Sequence, residues 1–388
     1  MGTREPIGGN GMRFLHTADW HIGKKLHGYS LLDEQRDAYE QIKKIAEKEQ
    51  VDAVVIAGDL YDRALPSEAA VGTLNAMLVD LNRQQHFPVL AISGNHDSAT
   101  RLGYGQEWFA STNFFMRTRL AAALKPVTLA DTQFFLLPYF EPIQARQLFE
   151  DDQIRTVNQA MERLVKAMQA NFAPDKKHVL VAHFFAAGGR HSDSETLVQV
   201  GGLNAVPTEL LAPFDYVALG HLHRKEALQQ VPTMKYSGSP LKFSTSEAED
   251  TKGVWLIDTD TTPVTVTFKP LKPLHDLIVL TDSFAHLMDP ERHYSVTRDD
   301  FIAIALTDTT PITNVMQRLK TRFPKIIELN RTKQLTVTPV DLNIQQVQRD
   351  PLALMTTFFE QMTQHPLTIA QEKWARETLQ AAQKEDAQ

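Results

Sequence analysis

Along the first hundred residues the apolar positions switch repeatedly between two periods. Residues 13–17, 52–57 and 88–93 read as short buried strands, the second of them a continuous β-branched run. Residues 32–50 carry apolar positions at Ile42, Ile45 and Ala46 and predict a helix, as does the stretch 67–82. Strand and helix therefore alternate, and each strand runs out into a short polar segment. The carboxyl ends of strands are where α/β sheets usually place their chemistry. Residues 125–140 and 178–240 are richer in strands. Between them Ile154, Val157, Met161, Leu164, Val165 and Met168 keep helical spacing and predict a packing helix.

The pattern changes near Pro270 and Pro273. Strands at 276–281, 301–306 and 325–330, with a helix at 311–323, predict a small β–α–β unit. From Asp350 the pattern turns helical: Asp350 is a good N-cap before Pro351, and Leu352, Met355, Phe359 and Met362 share a face. Thr368 and Gln371 have capping-box spacing ahead of a second helix that contains Trp374. The expected division is a main domain at 12–270, a small second domain at 271–345 and a helical tail at 346–388. Residues 1–11 are glycine-rich and polar, without the apolar core of a secretory signal, and read as an extension or expression remnant.

A chain of 388 residues with 43% hydrophobic and 22% charged positions fits a globular protein of two or three units. No cysteine is present, which excludes disulfides, thiolate metal sites and cysteine nucleophiles and fits an intracellular compartment. The longest apolar stretches fall well short of the roughly 18 residues a membrane span needs. A net charge of −7 argues against a uniformly cationic surface for sequence-blind nucleic-acid binding.

Five polar clusters stand at strand ends: Asp19-Trp20-His21, Gly58-Asp59-Leu60-Tyr61-Asp62, Gly94-Asn95-His96-Asp97, His183, and Gly220-His221-Leu222-His223. In extended backbone an Asp-x-His or His-x-His pair points both side chains the same way, so that both can reach one metal. The glycines at 58, 94 and 220 would permit tight turns there. Each cluster alone has an ordinary explanation: a histidine after an apolar run is commonly a hydrogen-bonded core residue, and Gly-Asp or Gly-Asn pairs mark turns. Five in order, all built from Asp, Asn and His, point to a metal centre. Nitrogen and oxygen donors without sulfur suit manganese or iron, with zinc as an alternative. Seven ligands are too many for one tetrahedral ion but suit two octahedral ions that share a bridge, for which the carboxylate of Asp59 is the best candidate.

These motifs resemble the calcineurin-like metallophosphoesterase superfamily, and more closely its SbcD-type DNA nuclease branch. The finer signs are His16-Thr17-Ala18-Asp19-Trp20-His21-Ile22-Gly23, Ser192-Asp193-Ser194-Glu195, Val200-Gly201-Gly202, the run from Asp215 to His223, and Tyr236-Ser237-Gly238-Ser239-Pro240. The resemblance implies an α/β (α+β) fold: a β-sandwich flanked by helices, a small α/β capping domain that orients DNA, and a helical tail. It implies that Asp19, His21, Asp59 and His223 hold one metal and Asp59, Asn95, His183 and His221 the other. The ions would be Mn2+ in first place, with Mg2+, Fe2+ or Zn2+ as alternatives. His96 would be catalytic and not a ligand. Some archaeal and eukaryotic relatives have histidine where this chain has Asp62, so Asp62, like Asp97, is expected to support the ligands and not to bind metal. The resemblance further implies exonuclease activity on double strands and endonuclease activity on single strands and hairpins. It implies docking of the tail on an SbcC-type ATPase, a homodimer within a heterotetramer, no membrane association and a bacterial cytoplasmic location. No Walker-type phosphate loop occurs in the chain, so ATP chemistry would lie in the partner. Two rivals are a small-molecule phosphatase or cyclic-nucleotide phosphodiesterase on the same site, and a degenerate scaffold without activity.

Overall fold

The computed structural model describes residues 11–187, 205–228, 230–332 and 366–385, together with Leu352, Met355, Thr356 and Phe359. In chain order the strands are β1 (Arg13–Thr17), β2 (Lys25–Leu26), β3 (Tyr29–Ser30), β4 (Ala53–Ala57), β5 (Val89–Ile92), β6 (Phe114–Arg117), β7 (Val127–Leu129) and β8 (Thr132–Leu137). There follow β9 (Lys177–His183), β10 (Tyr216–Gly220), β11 (Met234–Tyr236), β12 (Gly253–Asp258), β13 (Thr265–Pro270), β14 (Leu277–Asp282), β15 (Phe301–Leu306) and β16 (Ile326–Arg331).

Two sheets face each other. One runs β13-β12-β1-β4-β5-β6 and the other β11-β10-β9-β8-β7. Their strands alternate between two cores, as a period of two requires. Phe14, Val55, Leu90 and Ile92 meet Phe134, Val179, Val181, Tyr216 and Ala218 between the sheets. On the outer face of the first sheet Leu15, Val54, Ile56 and Val89 pack under helices Leu32–Lys48 and Glu68–Val79. On the outer face of the second, Leu180, Ala182, Val217 and Leu219 pack against helix Val157–Gln169 through Met161, Leu164, Val165 and Met168. Burial on both faces explains why these strands read as unbroken apolar runs. The β-sandwich flanked by helices is the architecture expected. His16 and Tyr216 bridge the sheets through a hydrogen bond of 3.0 Å between Nδ1 and the phenol.

The ladders β1–β4, β4–β5, β9–β10 and β10–β11 are parallel, whereas β12 pairs antiparallel with β1, from Arg13↔Asp258 to His16↔Trp255. The carboxyl ends of β1, β4 and β5 therefore open on the same edge as those of β9 and β10, and the loops there carry the polar clusters.

Beyond Pro270, β14, β15 and β16 form a three-stranded parallel sheet with its own core around Leu287, Ile304, Leu319 and Phe323. The helix expected over 311–323 is confined to Val315–Lys320, because Asn314 adopts a left-handed conformation (φ 52°) and closes the helix off from its upstream residues. The second strand occupies the predicted 301–306, and its neighbours lie within a residue of expectation. A second hydrophobic cluster joins this sheet to the main domain, with Leu277, Phe301, Ala303 and Ile327 against Leu26, Leu31, Leu241 and Phe243. Lys242 Nζ donates to Asp276 Oδ1 at 2.8 Å and His275 Nδ1 faces Glu34 Oε1 at 3.0 Å across the same boundary.

Near the end of the chain, Thr368 caps helix Ile369–Glu385. Its Oγ1 accepts from Gln371 N at 3.3 Å while Gln371 Oε1 accepts from Thr368 N at 2.9 Å, the reciprocal bonds of the capping box predicted there. Asp350, Pro351, Met362 and the motifs at 192–195 and 200–202 lie outside the described residues. Among the described residues no helix is long and apolar enough to cross a membrane.

Candidate metal centre

The loop after β1 is zipped to the loop after β4: Asp19 N donates to Gly58 O at 3.0 Å, His21 N to Asp59 O at 3.0 Å and Ile22 N to Leu60 O at 2.9 Å. This pairing, and not the strand pleat, makes Asp19 and His21 converge. Asp19, His21, Asp59 and His221 have φ of 54°, 45°, 50° and 96°, so the expectation of extended backbone through these pairs is incorrect. Left-handed backbone at non-glycine residues costs roughly 1–2 kcal/mol each and persists where the surroundings over-determine it. Two glycines act differently from one another. Gly58 supplies a left-handed turn (φ 92°), whereas Gly94 supplies space: a Cβ there would collide with the Asp59 carboxylate.

The expected ligands come together. His21 Nε2 lies 3.1 Å from His223 Nε2. His183 Nε2 lies 2.9 Å from Asn95 Oδ1, and His221 Nδ1 lies 3.0 Å from the same oxygen. Asp59 Oδ2 stands between the groups, 3.3 Å from His183 Nε2 and 3.7 Å from His21 Nε2. Asp19 accepts from His221 N through both oxygens, at 3.0 and 3.2 Å. The donors of Asp19, His21 and His223, and those of Asp19, Asp59 and His183, lie within 4.8 Å of one another. His96 shares such a set with His21 and Asp59, so proximity alone does not separate it from the ligands.

The chemistry of this donor set fits divalent cations. Two donors at adjacent corners of an ion with bonds near 2.1 Å are separated by about 3 Å, which matches the His21–His223 spacing. Tautomers are fixed from behind: His183 Nδ1 donates to Ala57 O at 2.8 Å, which leaves Nε2 on the donor side. Burial resists charge on His183, but the adjacent Asp59 and Asp19 carboxylates outweigh it and raise its proton affinity. Burial opposes charge on Asp59 in turn, yet the His183 charge outweighs it and holds the carboxylate well below the usual range. Burial, followed by the His183 charge, pushes His221 down to about 3. Burial likewise lowers His21 and His223.

His96 is held at two points. Its backbone N–H donates to Asp59 Oδ1 at 2.9 Å, and its Nδ1 donates to the Asp62 carbonyl at 2.9 Å. The Asp62 carboxylate takes Lys24 Nζ at 2.9 Å and lies 3.9 Å from His21 Nδ1. Asp97 accepts from Leu60 N, Tyr61 N and Gly94 N at 3.1, 2.9 and 3.0 Å, binding two of the loops together. Burial and the Asp59 charge raise its carboxyl against those three bonds.

Several residues that sequence reasoning passed over also shape the site. Gln35 Nε2 donates to His21 O and Trp20 O at 2.7 and 3.2 Å, and Gln35 Oε1 accepts from Gly23 N at 3.0 Å. A signal was available, because Gln35 falls in register with the buried helical stripe Tyr39, Ile42 and Ala46. Phe243 packs edge-on to His21 and His223, with ring centroids at 5.4 and 5.5 Å. Glu247 and Lys252, both buried, lie behind His223.

Residues 12–225 match the calcineurin-like phosphoesterase family, and residues 273–363 match the family described as the type 5 capsule protein repressor C-terminal domain. A relative from Staphylococcus epidermidis, the SbcD subunit of the nuclease SbcCD, is 35% identical over 364 residues, covering 93% of this chain and 96% of its own. Among solved structures, a protein from Thermus thermophilus and a dimetal phosphatase from Danio rerio each align at 12% identity with a TM-score of 0.40. They cover 66% and 67% of this chain and 99% of their own.

Proposed function

The chain belongs to the calcineurin-like phosphoesterase family as a homologue of the SbcD subunit of the SbcCD nuclease, and from that premise we propose how its site cuts DNA. The protein is a metal-dependent phosphodiesterase of the nuclease type and uses divalent cations. In the proposed assignment Asp19, His21, Asp59 and His223 hold one cation and Asp59, Asn95, His183 and His221 the other, manganese being the resident metal. The observation that carries this reading is the position of Asp59, whose one oxygen faces both histidine groups while its other fixes the backbone of His96.

When bound, the two cations would supply Lewis-acid activation of water and of the scissile phosphate. The protein's own share is orientation and proton handling. Asp59 and Asp19 provide the negative charge that makes the site selective for cations. His96, acting as an imidazolium with its Nδ1 proton committed to the Asp62 carbonyl, would give its Nε2 proton to the departing sugar oxygen and be left neutral. Asp97 and Asp62 hold the loops and Lys24 in place and bind no metal.

The substrate is the DNA backbone, cut exonucleolytically from double-stranded ends and endonucleolytically in single strands and hairpins. An SbcC-type ATPase docks on residues 346–388, the chain dimerises within a heterotetramer, and the assembly works in the bacterial cytoplasm. Support comes from the relative's name as one part of a complex and from a match that spans nearly the whole of both chains.

The test is cleavage of end-labelled duplex and hairpin DNA by metal-stripped protein given manganese, magnesium or zinc, with a chromogenic phosphodiester alongside. Manganese-dependent DNA cutting that disappears in Asp59→Ala supports the assignment. Fast turnover of the small ester with DNA untouched, even with the ATPase present, overturns it. His96→Ala is expected to keep both metals and lose most turnover. Removal of residues 346–388 should abolish ATPase binding and spare the metals.

A further inference from the structure

His223 is supported by a second ionic group that none of the metal-ligand motifs contains. Glu247 is fully buried, on the turn Thr245–Glu247. Its Oε1 stands 3.7 Å from His223 Nδ1 and accepts from Ser244 Oγ at 3.1 Å. Its Oε2 is bonded to Lys252 Nζ at 2.5 Å. Lys252, 8% exposed, uses the same ammonium group to donate to the His223 carbonyl at 2.9 Å. One carboxylate therefore faces the ring of His223 while its counter-ion grips the backbone of the same residue. Both lie beyond residues 12–225, the part that matches the phosphoesterase family.

An imidazole has two nitrogens, and Nε2 of His223 is the one that faces His21. At 3.7 Å the buried negative charge of Glu247 faces Nδ1 and favours, electrostatically, the tautomer with the proton on Nδ1 and the lone pair on Nε2. A carboxylate buried alone behind a ligand histidine would be costly and would also favour a doubly protonated ring, which cannot bind a metal. Lys252 removes both problems, since it neutralises Glu247 without competing for His223 Nδ1. Ser239 N donates to the His223 carbonyl at 3.1 Å as well, so the main chain of the ligand is held by two donors.

We propose that Glu247 and Lys252 are positioning residues for the cation held by His223, acting as a neutral buried clamp that sets its tautomer, ring direction and backbone. The proposal rests on the assignment of His223 as a metal ligand. It predicts asymmetry: the cation on Asp19, His21 and His223 depends on the clamp, whereas the cation on Asn95, His183 and His221 does not.

The experiment is manganese titration of the full-length, metal-stripped protein, read by calorimetry and by the electron paramagnetic resonance of free and bound Mn2+. Wild type, Glu247→Ala, Lys252→Met and the double variant Glu247→Gln with Lys252→Met are compared after thermal melts establish that each is folded. Glu247→Ala and Lys252→Met should weaken one of two manganese ions by about 10- to 100-fold, the range for groups that orient metal ligands, and leave the other unchanged. The double variant keeps an acceptor for Nδ1 without a buried charge and should return to within about threefold of wild type. If Glu247→Ala does not fold, the decision passes to Lys252→Met and the double variant. Two ions bound at wild-type affinity in folded single variants would overturn the clamp. A wild-type protein that binds fewer than two ions would instead overturn the ligand assignment.

Discussion

Replacing Gln35 with methionine tests whether a helix residue holds the first metal-binding loop in its strained form. The side chains are similar in volume, so the change removes hydrogen bonds and leaves little cavity. Gln35 makes three bonds, to His21 O, Trp20 O and Gly23 N. At about 1 kcal/mol net for each neutral bond, the loss is about 3 kcal/mol. The left-handed conformations of Asp19 and His21 cost about 2–4 kcal/mol together. The two quantities are of the same size, so without Gln35 the loop has little reason to keep its ligands converged. For a domain of this size the expected fall in melting temperature is about 6–12 °C, and the affinity of the His21–His223 cation should fall at least about tenfold. Differential scanning calorimetry of the metal-free protein and manganese titration measure the two effects separately. A Gln35→Met protein that melts within 1 °C of wild type and binds two manganese ions normally would refute the reasoning.

The two loop glycines should differ in reach. Gly58→Ala places a Cβ against the His183 ring and should cost about 2–4 kcal/mol, weakening the cation on His183; Gly94→Ala presses on Asp59 and should weaken both cations, a difference visible in metal stoichiometry. In the small domain, Asp282 accepts from His286 Nδ1, Ser283 N and Tyr294 OH at 2.8, 2.8 and 3.0 Å and pairs with Arg292 at 2.9 Å. Burial would raise its pKa, but these partners outweigh it and bring the group to about 2. Its folded value lies below the unfolded one, so its contribution is complete above about pH 4 and is lost as pH falls towards 2. Melting temperatures of wild type and Asp282→Asn should therefore differ at pH 5 and converge near pH 2. Thr368→Ala removes the cap of helix Ile369–Glu385 and should cost about 1 kcal/mol, read as roughly fivefold faster amide exchange across that helix.

The candidate metal site was legible in the sequence because its proposed ligands sit in short contiguous motifs at strand ends, and burial on both faces makes those strands easy to find. The supporting residues were less so: the helical register marks Gln35 as buried but does not say what it holds. Gln35 and Glu247 act on loops 14 and 24 residues away, through contacts that only the packed sheets and helices create. Convergence itself was read for the wrong reason: the pleat of extended strands was expected, and cross-loop bonds with left-handed backbone do the work. The helix expected over 67–82 changes type within that span: it is α-helical over Glu68–Val79 and widens into a π-helical turn at Asp80–Gln84, where Asn82 Nδ2 bonds to Phe87 O and Thr112 O. Local periodicity carries no trace of such a distant acceptor.

The position of β1 has a consequence for how the protein is made. This strand lies inside its sheet, and its antiparallel neighbour β12 is drawn from Gly253–Asp258. During synthesis at about 5–20 residues per second, β1 waits roughly 10–50 s on the ribosome before that neighbour emerges. Pairing at such sequence separation is slow to nucleate. Asp19 and His21 ride on the end of this strand, and His223 is itself translated late. On the proposed ligand assignment the site therefore needs both early and late parts of the chain, and a translation product interrupted before His223 should be an inert fragment and not a stray nuclease.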